Sequence, residues 1–214
     1  MDQIENPVYS KNVVEFTAVA NEYCSFIEQA DKFELKDFID KSHKILPFLY
    51  LKAAMLPELD TRYEEFNERF VTENDYNLVH KKILTRLGQY DSYEEVFDPL
   101  HQETETPVGA SIAENMTDMY QDLKDFILLY QIGSNEVMYE AVWECRQSFE
   151  HYWGQRLTNA LRALHFLRYS DEEIEADENA LPLEENDKEE TNLDDIDTQD
   201  WFISRRQEDY RDEE

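Results

Sequence analysis

Glycine is scarce in this 214-residue chain, with four in all, and only two cysteines and six prolines accompany it. So little glycine excludes collagen and the glycine-dense, turn-rich folds, and two cysteines are too few for a disulfide framework. Cys24 and Cys145 form no CxxC or zinc-ligand spacing. Each lies inside an apolar helical pattern, so both read as small reduced core residues. Long hydrophobic runs are also missing. No stretch approaches the roughly 20 apolar residues of a membrane span. The opening MDQIENPVYSKN has neither a basic start nor an apolar signal core, which gives an expectation of a soluble, cytoplasmic protein.

Positive charge is the other shortage: 20 Lys and Arg stand against 50 Asp and Glu, for a formal charge of -30. Nucleic acid backbones and anionic lipid recruit Lys and Arg, so the balance opposes direct binding to either. Cationic partners are compatible with it. The acids are unevenly spread. Residues 170–214 carry 20 acids and 4 bases, net -16, leaving -14 for the first 169. That divides the chain into a 1–169 helical domain and a 170–214 acidic tail, largely disordered from 170 to about 192 because charge repulsion and sparse hydrophobes cannot offset ordering entropy. An apolar and basic island at 193–206 breaks the pattern, and its Trp201, Phe202, Arg205 and Arg206 form a candidate partner-binding motif.

What the first 169 residues do have is helical periodicity. Val13, Phe16, Ala20, Tyr23 and Ile27 make one stripe. Leu35, Phe38, Ile39, Leu46, Leu49 and Ala53 make a second, with Pro47 expected to kink or restart the helix and Pro57 to stop it. Residues 58–71 are ambiguous, with a short helix expected around Tyr63 to Phe70. Thr72 and Asp75 open a third helix through Tyr76, Val79, Ile83, Leu84 and Leu87, closed by Gly88. Residues 89–110 read as a long connection with a helical turn at Tyr93 to Phe97. Ser111 and Glu114 form a capping box ahead of a helix ending near Gly133, and a last helix, expected to be central, runs from about Glu136 to Arg168. The fold class is therefore all-α, a bundle of about five helices.

Three blocks carry a resemblance. They are Leu87 to Pro99 (LGQYDSYEEVFDP), Gly109 to Lys124 (GASIAENMTDMYQDLK), and Glu140 to His165, with EAVW, FEHYWG and ALRALH inside it. Together they resemble an uncharacterised bacterial family, known as a domain of unknown function, over roughly residues 8–168. The resemblance implies an all-helical cytosolic domain and no particular activity. The resemblance implies His in relatives at the two positions filled here by Tyr152 and Arg156, so a histidine-based metal site in them would be weakened or absent here.

Within those blocks the candidate catalytic residues are Asp91, Asp98, Asp118, Asp122, Glu150, His151 and Arg156. Asp118 and Asp122, at i and i+4, share a helical edge and are candidate ligands for Mg or Mn, which take oxygen donors. Against that, Asp118 projects away from its apolar stripe, where a charged residue ordinarily faces water, and so acidic a chain must contain such pairs. His151 falls on a polar strip with Glu144, Gln147, Thr158, Arg162 and His165. Tyr90, Tyr93 and Phe97 read as aromatics capping the core or as a recognition surface. Arg156 falls in the middle of the last helix's apolar stripe, which predicts a buried guanidinium paired with Asp91, Asp98, Asp118 or Asp122. No nucleophile elbow, P-loop, Rossmann fingerprint or zinc motif is present. Three function classes follow: an interaction or adaptor module with a protein partner, a divalent-metal-dependent hydrolase built on the carboxylates, and an acidic decoy for basic proteins. Concentration of charge in the tail disfavours the decoy, and the adaptor reading asks least of the residues.

Overall fold

A computed structural model describes residues 6–60, 68–95 and 108–170, all within the first of the chain's two units, Met1–Leu181. Its helices are α1 (Lys11–Glu28), α2 (Leu35–Ala54), α3 (Glu73–Leu87), α4 (Ile112–Ile132), α5 (Asn135–Ser148) and α6 (Gly154–Tyr169). A π turn, Phe149–Trp153, joins α5 to α6, so the expected last helix is one rod with a widened turn inside it.

Local signals set most of the boundaries. At the start of α3 the Thr72 hydroxyl accepts from the Asp75 amide and Asp75 reaches back to the Thr72 amide. Ser111 Oγ accepts from Glu114 N at 3.0 Å to open α4, and Ser134 Oγ accepts from Val137 N at 3.3 Å to open α5. Gly133 closes α4 in the left-handed region at φ 79°, which a side chain would strain. Pro47 neither ends nor restarts α2. It is exposed, so the carbonyl four residues earlier, which loses its helical donor, lies on a face that water can reach.

The centre of the bundle is α4, which packs against α1, α3, α5 and α6. The last rod is less central than its apolar circumference predicts, because α6 has α2 and α4 as its main neighbours. Phe16, Tyr23, Phe38, Tyr120 and Trp153 are the large side chains enclosed between these helices, each contributing roughly 1.5–3 kcal/mol of burial. Tyr23 donates to the Met116 carbonyl at 2.7 Å, so its buried hydroxyl costs little. Both cysteines are free and buried.

Two local expectations fail. Residues 92–95 form no helical turn. Strand β1 (Ser92–Glu95) pairs antiparallel with β2 (Val108–Ser111), in register Ser92 with Ser111 and Glu95 with Val108. Sequence propensity in Ser-Tyr-Glu-Glu does not favour a strand; the anchor does. Asp91 carbonyl accepts from Ile112 N at 3.0 Å, clamping the base of the hairpin to the start of α4. Residues 68–72 enter α3 without helix, while the remainder of the expected 63–70 helix, up to 67, lies outside the described residues.

Candidate functional site

Four of the candidate residues lie on or against one edge of α4. At its first turn Asp91 is buried and its Oδ1 accepts from Ala113 N at 2.7 Å. An acceptor there satisfies an otherwise unpaired amide and complements the positive helix end. Asp98 lies outside the described residues, as do Phe97 and the tail residues Trp201, Phe202, Arg205 and Arg206.

One turn on, Asp118 is enclosed rather than solvated, with 11% of its side chain exposed. Tyr76 of α3 donates to its Oδ1 at 2.8 Å and Tyr152 of the π turn to its Oδ2 at 2.8 Å. Arg156 Nε lies 3.6 Å from Oδ2, and Arg156 Nη1 donates to Asn115 Oδ1 at 3.3 Å. Asn115 in turn donates to the Tyr93 hydroxyl at 2.5 Å, carrying the network to the hairpin. Burial and the hydrogen bond to Asp118 push the Tyr152 hydroxyl up to about 12, and the same two causes push Tyr76 higher. The predicted pairing of Arg156 with one of the four aspartates is present, but its predicted burial is not. The guanidinium side chain keeps 36% of its exposure. The π turn explains this: one inserted residue turns everything after it by about 100° relative to a regular helix, moving Arg156 from mid-stripe to the margin.

Asp122 belongs to a different set. It accepts from Ser148 Oγ, and Arg69 Nη1 lies 3.5 Å from its Oδ1. Burial pushes its carboxyl above the usual carboxylate range despite the Ser148 hydrogen bond and the Arg69 charge. Arg69 also contacts Asp125 Oδ2 at 3.4 Å and Glu144 Oε1 at 2.6 Å. Asp125, with 2% of its side chain exposed, uses Oδ1 to accept from both Phe70 N (2.8 Å) and Val71 N (2.9 Å). This carboxylate therefore fixes the segment that enters α3. Sequence reasoning missed Arg69, Asp125 and Glu144 as members of a cluster. The signal for Asp125 was there: Asp118, Asp122 and Asp125 follow i, i+4, i+7 spacing along a single edge. The cavity beside Arg69, Asp122, Asp125, Glu144 and Ser148 measures about 20 Å³, close to the volume one water needs.

Glu150 and His151 join neither set. Glu150 accepts from Arg146 Nε at 2.8 Å, and Arg146 also donates to the Leu56 carbonyl at 2.7 Å, tying α5 to the end of α2. His151 is exposed with Nδ1 2.9 Å from the Gln147 carbonyl. Among the described residues no three His, Cys, Asp or Glu side chains converge as a metal-holding group. Asp118 and Asp122, the metal candidates, each meet hydroxyl and guanidinium partners instead.

A wider opening lies elsewhere. A groove of about 590 Å³ runs between the hairpin and the end of α6, with Tyr90, Tyr93, Ile112, Phe166 and Leu167 supplying apolar wall and Glu94 and Arg162 supplying charge. Tyr90 and Tyr93 pack on the core with one side while lining this groove. Phe166 is 72% exposed. No helix among the described residues is long and apolar enough to cross a membrane.

The chain is 38% identical to protein BF1032 from Bacteroides fragilis, whose crystal structure it matches with a TM-score of 0.69 over 79% of this chain and 99% of that one. No curated protein matches it. Residues 7–170, which span the described helices, the hairpin and both carboxylate sets, match the family described as Domain of unknown function (DUF5063), and the chain belongs to that family.

Proposed function

We propose that the helical domain is a non-catalytic interaction module, which seats a positively charged, apolar-anchored segment of a protein partner in the groove between the hairpin and α6. The observation that carries this reading is the groove itself: its volume of about 590 Å³ lies within the range of functional clefts, and its apolar walls end in opposite charges. An exposed Phe166 supplies the kind of aromatic contact that dominates binding energy. The net charge of -14 on residues 1–169 favours a Lys- and Arg-bearing partner by complementarity. Asp91, Asp118, Asp122 and Glu150 already have partners with structural consequences, which supports an interaction role over a hydrolytic one. The tail motif of Trp201, Phe202, Arg205 and Arg206 would offer a second, linear contact of opposite charge to its surroundings.

A photoreactive residue at position 166, with position 78 on α3 as an exposed apolar control, tests the reading inside producing cells. Cross-links should form at 166 and not at 78. A synthetic peptide from the captured segment should bind the purified chain, weaken with rising salt, and weaken again with Phe166→Ala. Equal capture at both positions, or peptide affinity indifferent to Phe166→Ala, would refute the groove as the contact.

A further inference from the structure

His43 of α2 and His165 of α6 lie 122 residues apart in sequence, yet His43 Nε2 and His165 Nδ1 meet at 3.2 Å. Their ring centroids are 5.3 Å apart and tilted by 45°, and Tyr169 lies against both rings, at 5.4 Å from His43 and 4.8 Å from His165. Two imidazole nitrogens bound to one tetrahedral zinc at about 2.0–2.1 Å are separated by about 3.3 Å. We propose that this pair is a divalent transition-metal site, taking zinc, nickel or copper through His43 Nε2 and His165 Nδ1, with water in the remaining positions.

Two facing imidazole nitrogens can serve as one hydrogen bond or as two metal ligands. In the metal-free pair one ring donates N–H and the other accepts. On binding, both facing nitrogens present lone pairs, so the ring that had donated loses its facing proton to water and takes one up on its other nitrogen, a change of tautomer with no net proton released. No redox change or leaving group is involved. Solvent reaches the pair, since His165 is exposed and His43 half-buried. The cations beside it are already engaged: Asp40, three residues before His43, accepts from Arg168 Nε at 3.0 Å and from Lys44 Nζ at 2.5 Å. Position near the carbonyl end of α6 adds a favourable partial charge. Imidazole donors select zinc, nickel and copper over magnesium, which separates this site from the acidic residues that dominate the chain. Because the ligands come from different helices, a bound metal would staple α2 to α6.

Titration of the purified full-length chain with Zn²⁺ in chelator-free buffer, read by calorimetry and by melting, tests the proposal. One zinc should bind and raise the Tm. His43→Ala and His165→Ala should each weaken binding by at least the ~10-fold that loss of a mere supporting group costs, and should abolish the Tm rise. The Asp118→Asn, Asp122→Asn double variant should keep it. Zinc bound equally tightly by either histidine variant overturns the proposal, as does binding lost only in the aspartate variant. Should a histidine variant fail to fold, Ni²⁺ added to the unaltered protein gives the answer: paramagnetic broadening should begin at the imidazole signals of His43 and His165. Broadening confined to His80, His101 or His151 overturns it.

Discussion

Arg156 of α6 and Asp118 of α4 pair at 3.6 Å, and Asp118 does not depend on that pair, since two tyrosine hydroxyls also donate to it. A carboxylate with two neutral donors left is not stranded when the guanidinium goes. Arg156→Met is therefore expected to cost about 1 kcal/mol, well below the 3–5 kcal/mol that breaking a fully buried ion pair would cost. Urea unfolding measures it, and a loss in the larger range would mean that Arg156 carries the network alone.

Asp125 is expected to matter more than any candidate chosen from sequence. Its Oδ1 holds the amides of Phe70 and Val71, and Val71 is buried. Asp125→Ala leaves two amides without their acceptor and removes one of the three carboxylates around Arg69, at about 3 kcal/mol or more. Asp125→Asn keeps a carbonyl oxygen for the amides and should lose about half as much. Equal losses in the two variants would show that the charge, not the amide bonds, holds the segment.

Gly154 ends the π turn where a Cβ would stand 2.4 Å from the Phe149 carbonyl oxygen and 2.9 Å from its ring. The obstacle is backbone, which cannot swing aside. Gly154→Ala should destabilise by about 1–3 kcal/mol, or force a regular helix and rotate Arg156 relative to Asp118. Thermal melting detects the first outcome, and a crystal structure of the variant the second. An unchanged melting temperature with the turn intact would contradict the packing described.

Millimolar Mg²⁺ or Mn²⁺ is expected to leave the melting curve unchanged, because Asp118 and Asp122 already accept from Tyr76, Tyr152 and Ser148 and contact arginines. A rise in Tm that Asp118→Asn with Asp122→Asn removes would restore the divalent-metal hydrolase reading.

Alkaline pH should weaken the fold. Tyr152, raised to about 12 mainly by burial and then by its bond to Asp118, is a group whose protonated form the folded state prefers. Its contribution is complete below the ordinary tyrosine value of ~10 and is lost as pH rises through the folded value. Tyr76 and Tyr120, pushed up by burial and by Asp118 and Glu28, act in the same direction. Stability by urea unfolding should fall from pH ~10 upward, and Tyr152→Phe should make that fall shallower. A flat profile to pH 12 would place these hydroxyls in solvent.

Sequence alone determined the helices and the class of fold. Periodic apolar residues at Val13 to Ile27 or Met116 to Tyr130, a Thr72–Asp75 cap and a terminal Gly133 are local physics, each acting within a turn or two of chain. The partner of Arg156 was legible as a class, because a guanidinium on an apolar stripe requires a carboxylate. Tertiary structure decided what depends on distant chain. The π turn displaced Arg156 by a step that uniform helical arithmetic cannot anticipate, and docking on α4 made a strand of Ser92–Glu95 against its own propensity. Whether Asp118 meets water or Tyr76 depends on where α3 lies, and His43 meets His165 only because α2 packs on α6. Those contacts link residues 42 and 122 positions apart, a separation over which composition and periodicity carry no information.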